Sequence, residues 1–191
     1  MESTVETRIL NAAFKVINEH SISGTRMHLI AQECGMAQSN LHYHFKTKKD
    51  LLIALNEHIQ KTFDETRAAA MPQYPQTLRG QLRGYFDEKK NLILHKPEYE
   101  RVQMDYWNLG QIDMGINDSL ARSYSVWRSD ISATILRFEP DMDPAKADLA
   151  AHIMVSMMFG AAIQYLCDDS FNLDNFFEVC LAMVENFLHM P

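Results

Sequence analysis

Apolar residues recur at helical spacing in every long segment of this chain, and that periodicity restricts the possible folds more than any other feature. In the N-terminal segment, Val5, Ile9, Ala13 and Ile17 follow one another at four-residue intervals and so share one helix face. No stretch shows the alternating β-branched pattern that is typical of strands. Seven glycines and six prolines force few breaks in 191 residues. The sequence therefore predicts an all-α fold.

Glycine, proline and acidic turns divide this pattern into about nine helices. Gly35 separates two short segments, and the sequence MPQYP, with Pro72 and Pro75, is the clearest loop. Further breaks fall at Pro97 and at residues 110–115, 140–144 and 168–170. The helices are predicted at about 4–20, 27–34, 37–45, 48–70, 76–95, 98–110, 117–138, 145–167 and 173–189.

Composition favours a globular protein of the reducing cytoplasm. The three cysteines are odd in number and widely spaced, which argues against a disulfide framework or a zinc finger. The N-terminus lacks the basic and apolar regions of a secretory signal. Residues 147–167 are apolar and long enough for a membrane span, but Asp148, His152 and Gln164 interrupt them. We therefore expect a buried helix there, no membrane attachment and a cytoplasmic location.

The net charge of −7 is distributed unevenly along the chain. Residues 1–50 carry six basic and five acidic side chains, whereas residues 51–191 carry twelve basic and twenty acidic ones. Arg26 and the cluster Lys46, Lys48 and Lys49 therefore stand out against an acidic body. This asymmetry is consistent with a DNA-binding head on an acidic second domain.

Residues 27–45 have the size and pattern of a helix-turn-helix, whose second helix enters the DNA major groove. On a helical wheel, Ala37, Leu41 and Phe45 share the face expected to pack inward. Ser39, Tyr43 and Lys46 point the opposite way, and Asn40 and His42 lie on the flanks. Hydroxyl, amide, imidazole and ammonium groups can bind phosphates or read base edges. The pattern predicts a DNA-reading face.

The string CGMAQSNLHYHFKTKKDLLIAL, preceded by GTRMHLIA, resembles the signature of the TetR family of transcriptional regulators. The resemblance covers about residues 4–60. It implies that Thr25, His42, Tyr43 and Lys48 hold the DNA backbone, whereas Gln38, Ser39 and Asn40 read bases. The candidate DNA-binding set, completed by neighbouring polar residues, is Thr25, Arg26, Gln38, Ser39, Asn40, His42, Tyr43, His44, Lys46 and Lys48.

Four residues depart from the family pattern. Ser21 stands where a glycine usually closes the first helix, and Arg26 replaces a common threonine. Ala37 replaces the usual serine cap of the recognition helix, which removes an acceptor typically worth ~1 kcal/mol. His42 replaces a frequent tyrosine, so the DNA contact at this position is expected to depend on pH. These departures leave the operator sequence undetermined.

The remaining helices suggest a dimer interface, because one helix-turn-helix covers too few base pairs for selective binding. Small residues in the penultimate helix and an apolar stripe in the last one are the candidates. This interpretation agrees with the family resemblance, which implies a four-helix interface. The alternative, a purely intramolecular core, stays open. The candidate residues are Ser156, Gly160, Ala161, Phe176, Cys180, Met183 and Phe187.

Aromatic and methionine side chains in the middle and late helices suggest an apolar ligand pocket, although a stripe at helical spacing is more often core. Asp105 is a candidate for orienting a polar group of the ligand. The candidate residues are Asp105, Tyr106, Trp107, Tyr124, Trp127, Met154, Met158 and Tyr165.

These observations predict a helix-turn-helix domain at residues 1–50, with its motif at about 26–45, and a helical ligand-binding and dimerisation domain at 51–191. The expected function is a homodimeric repressor that binds a palindromic operator of two half-sites and leaves it on binding a small-molecule effector. The alternative is a DNA-binding accessory protein whose C-terminal domain docks a protein partner. No pairing of nucleophile and base, phosphate loop or metal-ligand spacing indicates an enzyme, a cofactor or a metal. His42 and His44 lie some 200° apart on their helix and cannot share an ion.

Overall fold

The computed structural model describes residues 4–190, and over this range the chain forms nine α-helices and one short 3₁₀-helix, without a strand. The predicted all-α class is confirmed. The ends of the two predicted domains, residues 1–3 and 191, lie outside the described residues. The elements are α1 Val5–Gly24, α2 Met27–Glu33, α3 Gln38–His44, α4 Lys48–Ala70, the 3₁₀-helix Met71–Gln73, α5 Leu78–His95, α6 Pro97–Gly110, α7 Met114–Phe138, α8 Pro144–Cys167 and α9 Leu173–His189.

Side-chain caps and one glycine set most helix boundaries. Thr77, Asp143 and Asn172 accept backbone N–H groups at the starts of α5, α8 and α9. Gly35 follows α2 with φ +65°, a left-handed conformation that glycine adopts without steric cost. The predicted start of α7, at residue 117, is three residues too late. Asp113 accepts the N–H groups of Gly115 and Ile116, and this cap starts the helix at Met114.

The chain packs into two compact units whose boundaries fall within helices. The first unit contains residues 4–63 and 101–123, and the second contains residues 64–100 and 124–190. The helices α4, α6 and α7 each contribute residues to both units. Packing therefore divides the chain differently from the predicted functional boundary at residue 50.

The first unit is built on the apolar face of α1 that the sequence pattern indicated. Ile9, Ala13 and Ile17 are buried on α1, which packs against α2. A hydrogen bond between α6 and α4 also holds this unit together: the Tyr106 hydroxyl donates to the Leu52 carbonyl at 2.8 Å. Burial raises the pKa of Tyr106 above its usual range, so this hydroxyl stays protonated.

The second unit has its core between α5, α7, α8 and α9. By length and composition α8 could cross a membrane, but it contributes eight buried residues to this core. Salt bridges join α5 and α9: Arg79 pairs with Glu178 and Glu185, and Lys90 Nζ lies 2.7 Å from Asp174.

A buried ion pair lies inside the second unit. The ammonium group of Lys89 donates to both carboxylate oxygens of Glu100, at 2.6 and 2.7 Å, and the two side chains are 8% and 3% exposed. The same ammonium group lies 6.0 Å from the ring centre of Trp127. Two charges out of water persist only when each satisfies the other, so this pair is sensitive to loss of either partner.

We expect Lys89→Met to lower the free energy of unfolding by about 3 kcal/mol, because the Glu100 carboxylate is then buried without its cation. The double variant Lys89→Met/Glu100→Leu should recover most of that loss, since both desolvated charges are gone. Chemical denaturation monitored by circular dichroism measures both values. A single variant as stable as the wild type would show that the pair is not desolvated.

Candidate nucleic-acid interface

The short helix α3 is held from one side by apolar packing. Leu41 and Phe45 are buried, as the helical wheel predicted, whereas Ala37 is exposed and not part of the packed face. Ala37 is the N-cap residue of α3, with an extended backbone and no side-chain hydrogen bond to the helix. The turn before it is made by Gly35, and the Met36 N–H donates to the Ala31 carbonyl. Packing thus fixes one face of α3 and leaves the other free.

The free face of α3 carries most of the predicted DNA-binding residues. Tyr43 is 83% exposed, although it is a large aromatic residue whose burial would be favourable. The remaining exposed members of this face are Gln38, Ser39, Asn40, His42 and Lys46. Residues 34–49 contain no aspartate or glutamate, so no fixed negative charge in this segment opposes a phosphate backbone.

Two residues predicted to contact the DNA backbone have their polar atoms engaged inside the protein. Lys48 donates its ammonium group to the Ile22 carbonyl and, at 2.8 Å, to the Thr25 carbonyl. Thr25 is fully buried, and its hydroxyl donates to the Ser21 carbonyl at 2.7 Å. These bonds give Lys48 and Thr25 a structural role at the end of α1, and their contact with the DNA backbone stays a prediction.

The environment of Lys48 is consistent with this internal role. Burial, followed by the nearby positive charge of Arg26, lowers the pKa of Lys48 from its usual value. Arg26 itself donates to the carbonyls of Ser23 and Thr25 at 2.7 and 3.1 Å, and its side chain stays exposed at the edge of the unit.

His44 turns away from the exposed face. Its side chain is only partly exposed, and Nδ1 lies 4.0 Å from the carboxylate of Glu6 on α1. The ring packs edge-on against Tyr43, with 5.4 Å between ring centres. His44 thus packs against the ring of Tyr43, and this geometry does not favour the predicted contact between His44 and DNA.

The end of α1 contains a strained residue and a cap that the sequence did not reveal. Ser21, which replaces the usual glycine, has φ 58°, a region that non-glycine residues rarely adopt. Asp105 accepts the Ile22 N–H at 2.8 Å, and Thr25 N–H and hydroxyl both donate to the Ser21 carbonyl. Asp105 comes from α6, far away in sequence, so only the tertiary structure identifies it as part of this turn.

The predicted ligand residues divide between the two units, and five of the eight lie in or against the core of the second unit. Asp105 and Tyr106 belong to the first unit, where they cap α1 and fill the core, and Trp107 of the same unit is exposed. In the second unit, Met154 and Met158 are fully buried core residues. Tyr124, Trp127 and Tyr165 are half-buried beside that core.

Two features of the second unit could serve a small molecule: an open groove, and a buried N–H group without a hydrogen-bond acceptor among the described residues. A groove of about 700 Å³ is bordered by α4, α5 and α7 and is lined by Arg67, Tyr85, Asp130 and Arg137 among others. Trp127 Nε1 is buried and has no hydrogen-bond acceptor among the described residues. Trp127 was among the predicted ligand residues. The sequence did not indicate the groove, because its lining combines charged residues with apolar ones such as Met71 and Val126 and follows no single apolar stripe.

The predicted dimer residues divide between the core and the surface of the second unit. Ala161 and Cys180 are buried within the unit itself and are therefore unavailable to a partner, and Phe176 and Phe187 pack partly against the core. Met183 and Ser156 are exposed.

The exposed side of each helix contains part of the predicted set. On α8, Leu149, Ser156 and Ile163 follow at seven-residue spacing, and a Cβ added at Gly160 would meet no atom within 4 Å. On α9, Val179 and Met183 are exposed among polar residues. Ser156, Gly160 and Met183 were predicted, whereas Leu149, Ile163 and Val179 were not, because apolar spacing alone does not tell an exposed residue from a core one.

Comparison with known proteins supports the assignment of a helix-turn-helix to the segment that contains α2 and α3. Residues 9–55 match the family model for bacterial regulatory proteins of the tetR family. A search of curated proteins finds no match.

Solved structures match over nearly the whole chain. A protein from Pseudomonas aeruginosa PAO1 described as a transcriptional regulator is 16% identical, with a TM-score of 0.82 over 96% of this chain and 89% of that one. A TetR-family regulator from Rhodococcus sp. is 21% identical, with a TM-score of 0.79 over 96% and 98%. A regulator from Saccharomonospora viridis, crystallised with choline, is 23% identical, with a TM-score of 0.79 over 94% and 95%.

Identities of this size show a shared fold, and the family model adds a match at the helix-turn-helix itself. Its matched segment contains α2, α3 and the start of α4, which are the elements that form and support the exposed polar face. The chain has the fold of TetR-family transcriptional regulators, and its residues 9–55 match the model of that family.

Proposed function

We propose that this regulator is a repressor that binds a palindromic operator as a homodimer and is released by a small-molecule effector. The observation that carries the DNA-binding part is the free face of α3, where an 83% exposed tyrosine stands among neutral and basic polar groups. Such groups match phosphate oxygens and base edges. The helix-turn-helix of residues 26–45 is then the reading element, and the cytoplasm is its place of action.

Homodimerisation is supported by the exposed apolar stripes of α8 and α9. Leu149, Ile163, Val179 and Met183 are each more than two-fifths exposed, although they belong to helices whose other faces form a core. Gly160 offers a place where a second helix can approach closely. A second copy of the chain covers such a surface with the same residues, as two-fold symmetry requires, and supplies the second recognition helix.

An effector site in the second unit is supported by the groove beside Arg67, Tyr85 and Arg137 and by the unpaired indole N–H of Trp127. The choline complex of the Saccharomonospora viridis regulator shows that one protein of this fold binds a small molecule. The groove of the present chain contains two guanidinium groups and the carboxylates of Asp64 and Asp130, both of which pair with Arg67, beside apolar residues such as Met71 and Val126. A molecule with both polar and apolar parts therefore suits it.

The alternative function, an accessory protein whose second unit docks a protein partner, is favoured by the same exposed stripes. A protein-free metabolite extract that releases the operator indicates an effector. Release that requires the protein fraction, with no effect of the small molecules, supports the accessory role and contradicts the effector proposal.

We expect Lys46→Ala to weaken binding to every DNA sequence and to reduce the slope of log affinity against log salt by about one. Tyr43→Ala should weaken binding with a smaller change in slope, since it removes no charge. Fluorescence anisotropy at several salt concentrations measures both effects. Lys96→Ala, in the second unit, is the matched loss of an exposed lysine and should leave the slope unchanged. An unaltered slope in Lys46→Ala would exclude this residue from the interface.

We expect Val179→Glu/Met183→Glu to convert the dimer into a folded monomer, because both side chains are exposed in the protomer and their replacement disturbs no core contact. Sedimentation velocity measures the mass, and circular dichroism confirms the fold. Leu94→Glu, an exposed leucine on α5, should leave the dimer intact. A variant that stays dimeric would show that the interface lies elsewhere on the chain. A monomeric wild type would exclude the homodimer.

A further inference from the structure

The hydrogen bonds of His42 connect it to the first residue of α3 and to Lys46, which lies two residues beyond the end of that helix. Gln38 lies four residues before His42, and its amide nitrogen is 3.3 Å from His42 Nε2. The other ring nitrogen, Nδ1, is 3.2 Å from the Lys46 carbonyl oxygen. Both Gln38 and His42 are exposed on the face proposed to meet DNA.

The chemistry of these two partners defines the state of the imidazole ring. A carbonyl oxygen only accepts hydrogen bonds, so His42 Nδ1 carries the proton that is donated to Lys46. An amide nitrogen only donates, so His42 Nε2 offers a lone pair to Gln38. The ring is therefore the neutral Nδ1–H tautomer, and both of its nitrogens have partners.

Protonation of His42 is incompatible with this arrangement. The ring would then carry a hydrogen on Nε2 as well, and two donors would face each other across 3.3 Å. A half-turn of the Gln38 amide relieves the conflict, because its oxygen then accepts from Nε2–H. The contact to the Lys46 carbonyl persists in both states, since Nδ1 keeps its hydrogen.

The two orientations of the Gln38 amide present different groups to DNA. With neutral His42, the amide oxygen and one N–H remain free, which is the pair that binds adenine at N6 and N7. With protonated His42, the oxygen turns towards the imidazolium, and the NH2 group takes the place at which the neutral state offers the oxygen; its two N–H donors suit the acceptors O6 and N7 of guanine.

We propose that His42 is a positioning residue whose protonation state selects the base that Gln38 reads, with adenine favoured when His42 is neutral and guanine when it is charged. This inference rests on the proposed function, in which α3 lies in the major groove. Histidine is the side chain suited to such a role, because its charge changes near physiological pH.

Charged side chains on the neighbouring elements have partners other than His42. On α1, Glu6 approaches His44 and Lys15 pairs with Glu33 of α2, and on α4 Lys49 pairs with Asp113. Among the described residues, no carboxylate lies within 4.0 Å of a His42 nitrogen. The titratable and charged side chains of α1, of α2 with its flanking residues and of the first turn of α4 are Glu6, Arg8, Lys15, Glu19, His20, Arg26, His28, Glu33, Cys34, Lys48, Lys49 and Asp50.

The first test concerns the free protein. Nitrogen-15 spectra of the histidine rings of the full chain at about pH 8 should show His42 as the Nδ1–H tautomer. In Gln38→Ala this tautomer preference should weaken, because the donor to Nε2 is gone. A dominant Nε2–H tautomer in the wild type would overturn the proposal, whether or not the protein binds DNA.

The second test concerns base preference. The position read by Gln38 is the base pair at which Gln38→Ala loses discrimination, and the ratio of affinities for adenine and guanine is measured there at about pH 8 and about pH 5.5. We expect this ratio to fall about tenfold in the wild type. A ratio is used because the added charge strengthens binding to every sequence.

Two variants separate this effect from other titrations. His42→Asn should show a ratio that does not change with pH, whereas His28→Gln, an exposed histidine on α2, should keep the wild-type change. A constant ratio in the wild type, or an equal change in His42→Asn, overturns the proposal. Absence of sequence-selective DNA binding by the wild type at any pH would contradict the proposed function instead, and the tautomer measurement would still decide the geometry of His42.

Discussion

The ammonium group of Lys48 fixes the geometry on which the DNA-binding face depends. It binds the carbonyls of Ile22 and Thr25 at the end of α1, and so ties the start of α4 to the turn that leads into α2. Asp105 holds the N–H of Ile22 in the same turn. These contacts stabilise the positive φ of Ser21, a strained conformation that persists only where its surroundings enforce it. The direction of the chain into α2 and α3 follows from this turn.

Function at α3 then follows from a division between packed and free faces. Leu41 and Phe45 fill the core of the first unit, so the polar residues between them are displayed to solvent. The binding face therefore consists of few residues with strict geometry, and the hydrogen bonds of His42 place even the Gln38 amide in a defined orientation. If α3 lies in the major groove as proposed, hydrogen bonds of one side chain on this short helix orient the Gln38 amide towards the DNA bases.

Much of this fold follows from local patterns in the sequence. The period of apolar residues predicted the nine helices, and the left-handed Gly35 and the inward Leu41 and Phe45 were expected from turn chemistry and the helical wheel. Position along the chain could not reveal the partners of Lys48 or the cap by Asp105, because both depend on contacts between distant segments. Similarity to a family assigned Lys48 to DNA, whereas its surroundings in this chain engage it internally.

The later helices show the same contrast. Aromatic and methionine content suggested an apolar ligand pocket, but it could not distinguish Met154 in the core from Trp107 on the surface. On α9, Val179 and Met183 are exposed among polar residues, and only packing separates them from the core residues of the same helix. The dimer stays a prediction, with Ser156, Gly160 and Met183 of the predicted set on the exposed sides of α8 and α9.

Sequencing of genomic fragments retained by the purified wild-type protein tests the central claim most directly. The account predicts enriched fragments that contain two inverted half-sites, with their centres about one helical turn of DNA, or a multiple of it, apart. A Tyr43→Ala/Lys46→Ala variant analysed in parallel should lose this enrichment. If the wild type retains no fragments beyond those retained by the variant, the exposed face of α3 is not an operator-reading surface.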